Sequence, residues 1–229
     1  MDVSFYGYNL LGATLILMSM LYLSEIALPK NKFGVKNFFE KYQPYLSANN
    51  ISILRAPFGI LIGFYIFFYA KSMNNNEISI IIQLIIFLSI TDRLDGQVAR
   101  ALNQTSDYGK KLDALCDKIF DLPILLALSW HVHPYIFGLM LVLTIVDCVG
   151  QQLRSQMINK AAVLIGKLKT SFKFGLIIVL ILFLTKVEIK LIPFAFEIII
   201  TACIACFIFT LWSMGLKVLA IYQTQQKTA

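Results

Sequence analysis

From Val3 to Ser24 the chain carries no charged side chain. A helix needs about 20 predominantly apolar residues to cross a bilayer, and this run is long enough. Further apolar runs follow it to the end of the sequence, which fixes the solvent as lipid rather than water. Composition agrees: 58% of residues are hydrophobic and 14% charged, against about 25% charged in soluble domains. The net charge of +7 sits beside apolar segments, as suits an anionic membrane surface rather than nucleic acid. Residues 1–7 contain Asp2 and no Lys or Arg, so the start lacks the basic region of a signal peptide and is read as a retained helix.

The expected fold is all-α: a polytopic membrane helical bundle of six core transmembrane helices plus one extra N-terminal helix. Its length of 229 residues suits one catalytic domain. Residues 1–28 form the extra helix. Residues 29–48 interleave Lys30, Lys32, Lys36 and Lys41 with Phe33, Phe38, Phe39, Tyr42 and Tyr45, the pattern of an interfacial amphipathic helix. The core, 49–229, holds helices expected near Ile51–Ala70, Ile78–Ala101, Tyr108–Trp130, a fourth running to Asn159, Leu168–Thr185 and Pro193–Tyr222. Of the 20 Lys and Arg, all but Lys71, Lys186 and Lys190 fall around 30–55, 93–118, 154–173 and 217–227. The excess of basic residues places that side in the cytoplasm.

Cys203 and Cys206 form a C-x-x-C, a spacing used in redox and metal sites. Inside an apolar helix they read as small buried residues. His131 and His133 stand at a turn on the opposite side from the acids and are read as interfacial.

The chemistry gathers in Asp92-Arg-Leu-Asp95-Gly96-Gln-Val-Ala99-Arg100 and Gly109-Lys-Lys-Leu-Asp113-Ala-Leu-Cys-Asp117. Asp92 and Asp95 are three apart and Asp113 and Asp117 four apart, so each pair shares a helix face. One pair ends a helix and the other begins the next, so the turn between them brings four acids together. An acid at a membrane helix centre costs about 2.5–3.5 kcal/mol on insertion scales, and four also repel one another. Hard divalent cations relieve both costs through oxygen ligands, and paired metals are common in phosphoryl chemistry. The competing reading is a structural network with Arg93, Arg100, Lys110, Lys111 and Lys118. Gly96 and Ala99 leave room for a ligand beside the backbone, and Arg100 offers a bidentate fork to phosphate.

D-x-x-D-G-x-x-A-R, then eight residues, then G-x-x-x-D-x-x-x-D resembles the signature of the CDP-alcohol phosphatidyltransferase family, with every fixed position present. The resemblance covers about residues 49 to 222. It implies transfer of a phosphate-containing group from a CDP-linked substrate to an acceptor hydroxyl, with release of CMP. It implies Asp92, Asp95 and Asp113 as ligands of two Mg2+ or Mn2+ ions. Asp117 is implied as the general base and as a further metal ligand. Gly96, Arg100, Ser106 and Gly109 are implied at the nucleotide. Asn49-Asn-Ile-Ser52-Ile-Leu-Arg55 resembles the family's N-x-x-T-x-x-R entry to the first core helix. Asn49 and Ser52 are expected to cap that helix and face the nucleotide. A homodimer is implied as well.

Gly166-Lys167-Leu-Lys169-Thr170 resembles the G-K-x-K-T element of the family's bacterial phosphatidylglycerophosphate synthase branch, although Ser155 follows Leu153-Arg154 where Glu is expected. Arg154, Lys167 and Lys169 are expected to receive the phosphate of a phosphorylated small alcohol. Topology alone also places cations there. The expected reaction moves the phosphatidyl group of CDP-diacylglycerol to the hydroxyl of glycerol 3-phosphate with release of CMP, at the cytoplasmic face of a bacterial membrane among membrane lipids. Serine, inositol phosphate, choline and phosphatidylglycerol stay open as acceptors. A cation-coupled transporter is the alternative from another class.

Overall fold

Helices and turns make up the chain in a computed structural model that describes residues 3–43, 45–154, 173, 175–177, 179–181 and 195–228. Among the described residues there is no strand. The longer helices are α1 (Val3–Tyr22), α2 (Val35–Lys41), α3 (Ala48–Tyr69), α4 (Asn75–Ala101), α5 (Asp107–Val132), α6 (Pro134–Arg154) and α7 (Ala195–Thr228). They form two units, residues 1–62 with 72–123 and residues 63–71 with 124–229.

In the first unit α1 lies along α4. A Cβ on Gly12 would meet the Gln83 side chain at 3.4 Å, so the absent side chain admits a polar residue of α4. After α1 the backbone widens through Leu23–Ala27 and then tightens over Lys32–Gly34. Asn31, Phe33 and Gly34 take left-handed conformations there, which interrupt any continuous helix. The amphipathic stretch expected over 29–48 is therefore a turn followed by the short α2. Phe39 of α2 is buried with Leu28, Leu94 and Val98, which ties this segment to the end of α4. At its other end α4 starts with a capping box: Glu77 N–H donates to Asn74 Oδ1 at 2.9 Å and Asn74 N–H to Glu77 Oε2 at 2.7 Å. Both would otherwise be orphan donors.

In the second unit α6 packs on α7. Lys217 of α7 is buried and donates to the Gly150 carbonyl of α6 at 2.7 Å. Asp147 of α6 faces inward, with Lys173 at 3.9 Å. Cys203 and Cys206 are buried free thiols. His131 lies in the last turn of α5, its Nε2 at 2.9 Å from the Phe67 carbonyl, and His133 stacks on Tyr135.

Among the described residues, two helical stretches are both long and apolar enough to cross a membrane, Ala48–Tyr69 and Phe196–Leu219, and the seven crossings expected are not all found there. The reasons differ between helices. At about 1.5 Å per residue α4 is about 40 Å long, more than the hydrocarbon core, but charged residues occupy its final turns. In α6 the apolar part is shorter, Pro134–Gly150. The helix expected over Leu168–Thr185 and the extension of the fourth toward Asn159 lie largely outside the described residues. Leu54, Leu61, Phe64 and Phe68 leave an exposed apolar face on α3, which lipid covers at no cost and water does not.

Candidate metal and phosphate site

Everything in this site belongs to the first unit. Ser47 caps α3, its Oγ accepting the Asn50 N–H at 3.3 Å. The cap thus precedes Asn49 and Ser52, which the sequence reading had placed in that role; both are already helical. Ser52 is buried inside the helix, and its hydroxyl lies 2.6 Å from Asp95 Oδ2 and 3.1 Å from the Ala48 carbonyl. With one proton to give, the shorter, charge-assisted bond to Asp95 dominates. Three residues on, and so on the same face, stands Arg55.

Arg55 joins three of the four acids. Its Nη1 lies 2.8 Å from Asp92 Oδ1, its Nη2 lies 3.4 Å from Asp113 Oδ1, and the same Nη2 bonds Asp117 Oδ1. The Arg55 side chain is 2% exposed, whereas those of Asp92, Asp113 and Asp117 remain 43%, 42% and 37% exposed. The cluster is thus closed beneath by α3 and open on the other side. Asp95 is buried and is held by Ser52. The sequence marks Arg55 only as part of the first-helix motif and does not name its acid partners. The cations expected to compensate them were others.

The turn between α4 and α5 sets the acids' spacing. Past Ala101, Leu102 N–H bonds the Val98 carbonyl at 2.9 Å and Gln104 N–H the Ala99 carbonyl at 2.8 Å. Asn103 turns the chain with φ of 54°, a value Asn tolerates better than most residues. Ser106 then caps α5 by accepting the Gly109 N–H at 2.9 Å. A Cβ on Gly109 would lie 3.0 Å from Asn49 Oδ1 and 3.1 Å from Ser106 Oγ. Asn49, Ser106 and Gly109 therefore meet where α3 and α5 begin. On α4, a Cβ on Gly96 would lie 3.5 Å from Arg100 Nη2, so the guanidinium folds over the glycine. Asp121, one turn beyond Asp117, is also buried and is a fifth acid that the motif does not mark.

Asp92, Asp95 and Asp113 each offer an oxygen, all within 4.8 Å of one another. Three hard oxygen donors at this spacing fit a magnesium- or manganese-type cation. Arg55 brings one positive charge to Asp92, Asp113 and Asp117, and a bound cation would add to it. Arg154 is the last residue of α6; its side chain, together with Lys167 and Lys169, lies outside the described residues.

Apolar helices and a half-open carboxylate cluster that suits a hard cation define a class: an all-helical protein, among the described residues, with stretches able to cross a membrane and a candidate cation site. The family model for CDP-alcohol phosphatidyltransferase matches residues 45–219, and the chain belongs to that family. α1 lies outside the matched region. Among curated relatives, a CDP-diacylglycerol--glycerol-3-phosphate 3-phosphatidyltransferase of Aquifex aeolicus (strain VF5) is 44% identical over 62 residues, covering 25% of this chain and 35% of the relative. A protein of the same name from Wigglesworthia glossinidia brevipalpis is 35% identical over 117 residues, covering 48% of this chain and 63% of the relative. The chain therefore spans less than two thirds of either relative's length. No solved structure matches the sequence.

Proposed function

We propose that this protein transfers the phosphatidyl group of CDP-diacylglycerol to the hydroxyl of glycerol 3-phosphate and releases CMP. The observation that carries this reading is the convergence of Asp92, Asp95 and Asp113 within 4.8 Å, in a chain of a family whose chemistry uses such a cluster. The names of the two relatives support glycerol 3-phosphate as acceptor. Asp92, Asp95 and Asp113 would hold two divalent cations, magnesium or manganese, with Asp117 as a further ligand. Held by these residues, the cations would supply polarisation of the pyrophosphate and stabilisation of the charge that develops on departing CMP.

The chain's own residues do the rest. Asn49, Ser106 and Gly109 meet where α3 and α5 begin, and the nucleotide binds there. Arg100 reaches across Gly96 and takes a phosphate oxygen. Asp117 accepts the proton of the acceptor hydroxyl. That oxygen forms its bond to the phosphorus bearing diacylglycerol, and the bond from that phosphorus to the CMP oxygen breaks. Arg154, Lys167 and Lys169 hold the acceptor's phosphate. The protein sits in a bacterial cytoplasmic membrane with the acids facing the cytoplasm, and works as a homodimer. Full-length protein in detergent, CDP-diacylglycerol and magnesium, supplied in turn with glycerol 3-phosphate, serine, inositol phosphate, choline and phosphatidylglycerol, gives the test. CMP release with glycerol 3-phosphate far above the other acceptors is expected. Preference for another acceptor replaces the substrate; release with none overturns the activity.

A further inference from the structure

Arg55 and a divalent cation draw on the same carboxylates. The guanidinium engages Asp92 Oδ1, Asp113 Oδ1 and Asp117 Oδ1, and two of those three acids belong to the trio whose oxygens converge. We propose that Arg55 competes with the metal for these oxygens, so that loading the site and withdrawing the guanidinium from Asp92 and Asp113 are one linked event. Arg55 is then a positioning residue that sets metal affinity, not a bystander in the wall of the site. This inference rests on the metal-dependent reading above.

Three features carry it. A cation at bonding distance from Asp92 and Asp113 oxygens would stand within a few ångströms of the guanidinium, and two positive centres that close repel strongly where water is scarce. Arg55 is also nearly fully buried, so solvent screens the guanidinium's side of the conflict weakly. Finally, its Nε has no hydrogen-bond partner among the described residues. The two terminal nitrogens alone make the bridge, and withdrawing them breaks no additional bond at Nε. Unlike a lysine, an arginine cannot escape the conflict by losing its proton. It must move or the metal must bind more weakly.

The linkage predicts a direction opposite to that of a ligand-organising residue. Replacing Arg55 removes the competitor and tightens metal binding, while it leaves the acids to repel one another when no metal is present. Manganese binding to the full-length protein, followed by the loss of the free-ion EPR signal, reads the first effect. Thermal unfolding in chelator and in saturating magnesium reads the second. Arg55→Met is expected to bind manganese at least about ten-fold more tightly than wild type and to lose more Tm in chelator than in magnesium. Lys111→Met removes an exposed cation from the start of α5 and is expected to change affinity by less than about two-fold. If Arg55→Met does not fold, Arg55→Lys decides: one ammonium cannot bridge three carboxylates, so several-fold tighter binding is expected. Unchanged or weaker affinity in the Arg55 variants, an equal shift in Lys111→Met, or equal loss of Tm in both buffers would overturn the competition while leaving the metal site in place. Absence of manganese binding by wild type would remove the metal site itself, and this inference with it.

Discussion

Gly59 of α3 and Phe120 of α5 bring two helix backbones into contact: a Cβ on Gly59 would stand 2.3 Å from the Phe120 Cα and 2.5 Å from its carbonyl oxygen. Neither atom can yield as a flexible side chain would. Arg55 lies one turn before Gly59, and Asp117 lies just before Phe120. The close approach therefore sets the distance across which Arg55 reaches the acids. Gly59→Ala forces the helices apart, at the about 1–3 kcal/mol typical of overpacking. Lower Tm together with at least a ten-fold loss of CMP release is expected. An alanine variant with wild-type stability and turnover would show that the contact does not position the site.

Asp113→Asn keeps the size of the side chain but removes its charge. If the converging oxygens hold a hard cation, this variant and excess chelator should each abolish nearly all CMP release, and added magnesium should restore only the chelated wild type. The assay is a magnesium titration of both proteins. Full activity in chelator ends the metal-dependent reading.

For Asp117 the expectation separates binding from chemistry. A general base contributes about 10²–10⁴-fold, so Asp117→Asn should lower kcat by that order and leave the KM for CDP-diacylglycerol within a few-fold. Donor and acceptor titrations give both constants. Should donor affinity collapse in step with kcat, Asp117 serves mainly as a ligand.

Leu28 tests how far the N-terminal segment supports the site. It is fully buried against Phe39, Leu94 and Val98, and Leu94 directly precedes Asp95 in α4. Leu28→Ala should cost about 2–5 kcal/mol, the range for such truncations, read as a fall in Tm. Removal of residues 1–22 spares this cluster and is expected to retain CMP release where the protein still inserts. A truncation that inserts well yet releases no CMP would assign α1 a part in completing the site.

Much of this site is legible in the sequence because helical spacing is local. Asp92 with Asp95, and Asp113 with Asp117, share faces by arithmetic alone, and the short link between their helices leaves them little choice but to meet. The partner of those acids is not local. Arg55 comes from a different helix, and nothing within its own neighbours says which acids it will reach. Its signal was its isolation: it is the lone charge in Ala48–Tyr69, and a buried charge in an apolar helix must find a counter-charge. Gly59 was signalled too, since it forms G-x-x-x-G with Gly63, the spacing that admits close helix contact. The segment 29–48 failed as a continuous helix because periodicity of aromatic and basic residues does not report left-handed turns. Asn31, Phe33 and Gly34 break the helix there; the glycine and, more weakly, the asparagine announce such a conformation, and the phenylalanine does not.

The acceptor rests on Arg154 and Lys167, and their expected effect is selective. Both follow the acid motif by more than thirty residues, whereas the residues assigned to the nucleotide lie within 49–109. If they hold the acceptor's phosphate, their loss falls on one substrate. Arg offers a planar fork and Lys a compact charge, and a hydrogen bond to a charged group contributes about 1.5–3 kcal/mol. That corresponds to about ten- to a hundred-fold in affinity. Arg154→Ala and Lys167→Ala should each raise the KM for glycerol 3-phosphate by about that factor and leave the KM for CDP-diacylglycerol within about two-fold. Raising ionic strength should weaken acceptor binding less in the variants than in wild type, because one of the charges being screened is gone. Two titrations per variant, one for each substrate, check the split. A rise confined to the donor's KM would assign these cations to the lipid nucleotide, and the choice of glycerol 3-phosphate would then stand on the resemblance to the named relatives alone.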